Sequence, residues 1–183
     1  MKHLYFIRHG QSEANNNGIW SGQLDSPLSQ QGILEAHTAA QKALKDGFMP
    51  NLILASPLIR AYETAKIIAG ALHYPIDKIQ ITEALKERSF GKLEGTPITA
   101  TLPDFNQYYL LDTLETVEKL EDLQKRVATE LELIKLLPEE TILIVGHAAF
   151  GRALRRVIAR QPYTNEYEGE FKQIPNAEII QLL

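Results

Sequence analysis

The chain has 183 residues, 44% hydrophobic and 23% charged, the make-up of an ordinary soluble globular domain. That length supports one full hydrophobic core and a single domain over residues 1–183, with no room for a second. A net charge of -4 and a pI of about 5.8 argue against a sequence-independent grip on nucleic acid, and the lack of cysteine excludes disulfides, thiolate zinc sites and thiol nucleophiles.

Leu4 to Ile7 reads as a short buried strand running straight into Arg8-His9-Gly10. Residues 11–27 are polar and carry Gly18, Gly22 and three consecutive asparagines, which is loop chemistry. Ser29 is placed to cap a helix whose apolar positions Ile33, Ala36, Ala40 and Ala43 recur every three or four residues and which ends before Gly47. Leu52 to Ala55 is a second apolar run. Ser56-Pro57 then supplies an N-cap and first helical residue for a face made of Leu58, Ala61, Ala65, Ile68 and Leu72. Ile79 to Leu85 is the third strand candidate. Residues 91–116 are irregular, with Pro97, Pro103 and a Tyr108-Tyr109 pair, and an insertion over 92–118 is expected to form a lid. Leu120, Leu123, Val127, Leu131 and Ile134 mark a long amphipathic helix. Thr141 to Val145 is the clearest strand and delivers Gly146-His147; Phe150 to Ala159 is a short helix, and Ala177 to Leu183 a last strand at the sheet edge.

Strands alternating with helices predict an α/β fold: a three-layer sandwich with a mainly parallel central sheet and helices on both faces. Ligands in such sheets bind at the carboxyl ends of the strands. Arg8-His9, the segment from Ser56 to Arg60, Glu87 and Gly146-His147 each follow a different expected strand, so four scattered segments converge on one edge.

Two arginines, two histidines and a carboxylate gathered there suit one chemistry. Guanidinium groups pair with phosphate oxygens and stay charged at working pH. Arg60 falls in the first turn of its helix, where free N–H groups and the dipole also favour an anion. Gly10 removes a Cβ beside the histidine and permits unusual backbone angles or a close approach by ligand. In such a socket a neutral imidazole is a competent nucleophile at phosphorus; Arg8, Arg60 and His147 stabilise charge on the equatorial oxygens, and Glu87 serves as proton donor and then base. Taken singly, each residue has a plainer explanation: Arg60 as a helix-surface charge, Glu87 paired with Lys86 or Arg88, His147 as a core histidine. Their joint placement favours the functional reading.

The segments that carry these residues are also familiar. RHGQSEAN at 8–15 resembles the signature of the histidine phosphatase (phosphoglycerate mutase-like) superfamily. SGQLDSPLSQQG at 21–32, ASPLIRAYETA at 55–65, LKERSFGKLEG at 85–95 and ILIVGHAAFGRAL at 142–154 are similar to its further segments, in the expected order. The resemblance implies that His9 is phosphorylated, that Arg8, Arg60 and His147 form the phosphate pocket, and that Glu87 is the proton donor. It also implies Asn15, Ser21 and Gly22 as further phosphate or substrate contacts, with no metal and no cofactor. Two departures stand out. Ala148 and Ala149 follow the second histidine where the family often has glycine, although Ala148 still offers its N–H to the substrate. Residues 96–116 contain no lysine or arginine, whereas the mutases of the family hold the substrate carboxylate there with basic groups.

An unpaired anion buried under such a lid costs several kcal/mol, which favours hydrolysis over isomerisation. The first expectation is therefore a phosphatase on small phosphorylated metabolites, under an apolar lid of Pro103, Phe105, Tyr108, Tyr109, Leu110 and Leu111. A phosphohistidine-protein phosphatase is a variant of that reading. The competing readings are a phosphoglycerate mutase-type isomerase and a phospholigand-binding domain without chemistry. Trp20 and Phe90 either line the cavity or pack the core, and Arg152 is functional or structural. His3, His37 and His73 have no constellation around them. No run approaches the ~20 apolar residues of a membrane span, and the opening apolar stretch is too short for a signal-peptide core. The chain is thus expected to be cytoplasmic, to act as a monomer or homodimer, and to touch neither nucleic acid nor membrane.

Overall fold

The computed structural model describes residues 2–101, 111–161 and 174–183. At its centre is a sheet built on β1 (His3–Arg8), β2 (Leu52–Ala55), β3 (Gln80–Ile81), β4 (Thr141–Gly146) and β5 (Ile179–Gln181), in the order β3-β2-β4-β1-β5. The first four are mutually parallel, and β5 runs antiparallel along β1 at the edge. Uninterrupted apolar runs make the central strands: all four residues of β2 and the last five of β4 are buried, as strands covered on both faces must be.

Side-chain alternation divides the core. Leu4, Phe6, Leu52, Leu54, Ile142 and Ile144 pack with Leu123, Val127 and Leu131 of α5 (Leu120–Leu136) and Phe150 and Leu154 of α6 (Ala148–Ile158). Ile7, Ile53, Ala55, Leu143 and Val145 face the other way, onto Ala39, Ala40 and Ala43 of α2 (Gln30–Lys45) and Ala61, Ala65 and Ile68 of α3 (Ile59–Ala71). The result is the expected three-layer sandwich. Among the described residues, no helix is long and apolar enough to cross a membrane.

Several local expectations are corrected. The third strand is only two residues long, because Thr82 Oγ1 accepts the Ala84 N–H and turns the chain into a 3-10 segment over Glu83–Leu85. Ser56 does not cap α3. Leu58 occupies that position without a side-chain cap, and Asp25 Oδ1 from a distant loop accepts the Ile59 N–H at 2.7 Å instead. Ser29 does cap α2, through the Gly32 N–H, but Ile33 is 41% exposed and Ala39 replaces it on the buried face. α6 starts two residues earlier than expected, directly after His147. The polar stretch after His9 contains a one-turn helix, α1 (Glu13–Asn16), and the region after residue 91 contains a 3-10 turn (Gly91–Leu93) and α4 (Ile98–Thr101).

Trp20, Phe90, Leu111 and Val117 form a separate buried cluster, with the Trp20 and Phe90 rings 4.6 Å apart. Both rings, and Leu111, are therefore packing residues. Pro103, Phe105, Tyr108, Tyr109 and Leu110 lie outside the described residues. His3, His37 and His73 are exposed.

Candidate active site

Strand register builds the site. Arg8 pairs with Gly146 across the β1–β4 ladder, and His9 N–H donates to Gly146 O at 3.0 Å. His9 and His147 thus leave adjacent strands at the same level, with ring centroids 5.1 Å apart and planes at 60°. β2 ends level with them, since Ser56 N–H donates to Val145 O at 3.0 Å.

Two residues into α3, Arg60 is 1% exposed and spends its donors on three partners. Nε donates to His9 Nε2 at 3.2 Å, Nη2 to Gly22 O at 2.7 Å and Nη1 to Leu24 O at 2.9 Å. Gly22 presents that carbonyl from φ +47°, and a Cβ there would lie 2.2 Å from Glu94 Oε1. The positive φ favours glycine, and a Cβ would displace the Glu94 side chain. Burial pulls the Arg60 guanidinium down to about 10, against the raising influence of Glu87 and Asp25, so it remains a cation at neutral pH.

The hydrogen bonds of His9 settle its tautomer. Nδ1 lies 2.6 Å from Gly10 O, which can only accept, so Nδ1 carries the proton. Nε2 accepts from Arg60 and is therefore a lone pair. Burial is the main force holding His9 well below 6.5, followed by the charges of Arg60 and Arg8, with the Gly10 carbonyl opposing. His147 is likewise pushed well below 6.5, by burial first and then by Arg60, His9, Arg8 and Arg126. Both rings are neutral in the folded protein.

A stability prediction follows from their sign. Below pH 6.5 the unfolded chain takes up protons that the native rings refuse. Their contribution is therefore complete above 6.5 and is lost as pH falls below it, by up to about 1.4 kcal/mol per pH unit for each histidine. Urea melts between pH 7.5 and 5 are expected to show a shallower acid slope for His147→Gln than for the parent chain. Equal slopes would contradict a buried neutral His147.

Close packing holds the nucleophile loop. A Cβ on Gly10 would lie 2.2 Å from Gly32 O, and one on Gly32 would lie 1.9 Å from Gln11 O. Gly10 is thus needed for close contact with the first turn of α2, and its φ is not positive. Thr64 Oγ1 accepts the Gly10 N–H at 3.2 Å. From the chain's other end, Asn176 Nδ2 donates to His9 O at 2.7 Å, and Arg8 Nη1 donates to Ile174 O at 3.1 Å.

Glu87 is buried against the start of α6. Its Oε1 accepts N–H bonds from Arg88 at 2.9 Å, Ala149 at 3.0 Å and Phe150 at 3.1 Å; among the described residues Oε2 takes only the Ala149 N–H, at 3.1 Å. A carboxylate there complements both the open amides and the helix dipole. Neither neighbouring cation pairs with it: Lys86 bridges Glu83, and the fully buried Arg88 bridges Asp112. The segment is clamped by Arg126 of α5, which donates to Ala84 O at 2.7 Å and Lys86 O at 2.9 Å while gripping both oxygens of Glu118.

The remaining expected contacts divide. Ala148 N–H, at the open end of α6, has no acceptor among the described residues, and Ser21 Oγ is buried without one. Asn15 forms a capping box with Ser12, its Oδ1 accepting the Ser12 N–H at 3.2 Å. Arg152 is buried. No cluster of three or more metal-binding side chains occurs among the described residues. Sequence reading missed Thr64, Asn176 and Arg126, and took Ser56 for a cap; only Ser56, flanked by an apolar strand and an arginine helix, carried a readable signal.

Comparison with known proteins gives one answer. A Hydrogenobacter thermophilus protein named "Putative phosphoserine phosphatase 2" is 36% identical over 154 residues, covering 80% of this chain and 73% of that one. A 2,3-bisphosphoglycerate-dependent phosphoglycerate mutase of Dichelobacter nodosus is 29% identical over 203 residues, with coverage of 92% and 81%. Among solved structures, a mycobacterial glucosyl-3-phosphoglycerate phosphatase in complex with VO3 superposes with a TM-score of 0.80 at 26% identity, covering 99% of this chain and 92% of that one. The family model of the histidine phosphatase superfamily (branch 1) matches residues 4–182. With that match spanning the strands that assemble His9, Arg60, Glu87 and His147, the chain belongs to branch 1 of the histidine phosphatase superfamily.

Proposed function

We propose that this protein is a metal-independent phosphomonoesterase that hydrolyses small phosphorylated metabolites through a phosphohistidine on Nε2 of His9. One observation carries the reading: the Nδ1 proton of His9 is committed to Gly10 O, which leaves Nε2 as a lone pair beside the Arg60 guanidinium and the second imidazole.

The substrate phosphoryl group takes over the Arg60 contact with His9 and meets Arg8, His147, the Ala148 N–H and Ser21. These groups act as fixed positive charge and donors for the equatorial oxygens as the transition state forms. Nε2 of His9 attacks phosphorus, the ester P–O bond breaks, and Glu87 passes a proton to the departing alkoxide. Water then attacks the phosphohistidine, Glu87 takes its proton, the P–N bond breaks, and inorganic phosphate leaves. Oε2 of Glu87, with a single backbone partner among the described residues, is the oxygen assigned to that transfer.

Hydrolysis is favoured over isomerisation because residues 96–116 provide no lysine or arginine to retain a phosphorylated acid. The names of the Hydrogenobacter and mycobacterial relatives point the same way, toward phosphoserine or a phosphoglycerate ester as substrate class. The test is a panel of phosphoserine, 3-phosphoglycerate, glycerol phosphates and p-nitrophenyl phosphate, assayed with EDTA present. Phosphate release without isomerised product is expected. Interconversion of phosphoglycerates without release would select the mutase reading, and tight phosphate binding without turnover the binding-domain reading.

Glu87→Gln separates proton transfer from binding. Its loss is expected to reach roughly 10²- to 10⁴-fold in kcat on alkyl phosphates and far less on p-nitrophenyl phosphate, whose leaving group needs no proton. An equal loss on both would show that Glu87 serves only to hold α6.

A further inference from the structure

Behind His147 lies a contact that the reaction scheme does not use. Ser56 Oγ and His147 Nε2 are 2.7 Å apart, and both residues are 0% exposed. Across the ring, His147 Nδ1 is buried without a partner. The Ser56 hydroxyl has one further contact, accepting the Leu58 N–H at 3.3 Å.

A neutral imidazole holds one proton, so two arrangements exist. If Nε2 carried it, the imidazole would donate to Ser56. The serine would then accept twice, and its own buried O–H would have no acceptor among the described residues. An orphaned buried donor is costly, and native structures avoid it. The Nδ1 lone pair would be a second buried group without a partner among the described residues. If Nδ1 carries the proton, the serine is satisfied in both roles and one group, the buried Nδ1–H, is left without a partner among the described residues, against two in the first arrangement. Ser56 donates to Nε2 while accepting from Leu58, and Nδ1–H is the buried donor left open to a bound anion.

We propose that Ser56 is a positioning residue: its hydroxyl donates to Nε2 of His147 and fixes the Nδ1–H tautomer, which makes the second histidine a hydrogen-bond donor to the transferring phosphoryl group. The last clause rests on the phosphatase reading; the tautomer does not. The same side chain that resembles a helix cap in the sequence thus acts on the neighbouring strand's histidine.

The tautomer is directly measurable. Long-range ¹H–¹⁵N correlation spectra of the uniformly labelled, ligand-free protein, with His147 assigned by comparison with His147→Gln, are expected to place its proton on Nδ1. A proton on Nε2 would overturn the proposal, whatever the activity. In Ser56→Ala the His147 signals should move toward a mixture of tautomers, with a roughly tenfold loss in kcat and in orthovanadate affinity, the scale of one neutral hydrogen bond. Ser56→Thr keeps the hydroxyl and should recover most of both. An unchanged tautomer in a folded Ser56→Ala protein would also refute it, and if that variant fails to fold, the spectrum of the parent protein decides alone. Failure to trap phosphate on His9 while the Nδ1–H tautomer holds would instead remove the phosphatase reading and leave Ser56 as the tautomer-setting group.

Discussion

Replacing His9 by alanine is expected to abolish turnover, with kcat lower by roughly 10⁴-fold or more, because no other side chain in the site can form the covalent intermediate. The geometry explains the severity. His9 Nε2 accepts from Arg60, whereas the second imidazole has Nε2 turned to Ser56 and belongs to a different strand. It cannot slide into the vacated place, since β1 and β4 are held in register from His3–Thr141 to Arg8–Gly146. Phosphate and vanadate affinity should survive in His9→Ala, for the guanidiniums and the α6 amide remain. The fold should survive as well, and at low pH the variant should gain relative stability, because one buried imidazole that resists protonation has gone. Steady-state assays, vanadate titration and urea melts check the three parts separately. Retained turnover would refute the nucleophile assignment.

Arg60→Lys is the second large effect. An ammonium keeps the charge but offers one compact donor group in place of a planar fork that reaches His9 Nε2, Gly22 O and Leu24 O together. A loss of roughly 10²- to 10³-fold in kcat/KM is expected, the scale for removing a preorganised donor from a charged transition state. Arg60→Ala should add a second symptom. Without the guanidinium, one of the forces that depresses the His9 pKa is gone, so that value rises toward 6.5. Below 6.5 a larger fraction of His9 is then protonated and unable to attack. The rate of phosphohistidine formation should accordingly fall on acidification in Arg60→Ala over a range where the parent enzyme is flat. Identical pH dependence in the two proteins would mean that Arg60 binds substrate without tuning the nucleophile.

Much of this is legible in the sequence alone, for specific reasons. Apolar runs such as Leu52–Ala55 and Ile142–Val145 have only one comfortable environment, between two helical layers, so the parallel sheet and its functional edge followed from pattern and topology. Three of the chemical segments, those of Arg8-His9, Ser56 to Arg60 and Gly146-His147, could be placed because each ends such a run, whereas Glu87 follows a 3-10 segment in place of the expected strand. What the pattern could not convey is contact across the chain. Asp25 caps a helix that begins 34 residues later, and Arg126 steadies the carbonyls of residues 84 and 86 from another layer. Asn176 reaches back to His9 from the far end of the chain. None of these leaves a periodic trace. Ser56 misled for a related reason: a serine before proline has two good uses, and local propensity favoured the cap over the histidine on the adjacent strand. Ile33 misled because alanine and isoleucine are equally apolar in a periodicity, while a helix packed closely on a sheet prefers the smaller residue.

The decisive measurement is rapid-quench labelling with ³²P-phosphoserine or another turned-over ester, followed by peptide mapping under alkaline conditions that preserve phosphohistidine. The expected result is acid-labile phosphate on His9 alone, forming at least as fast as steady-state turnover and approaching one equivalent per chain. Phosphate release without any such label, or label on His147 in place of His9, would contradict the central claim.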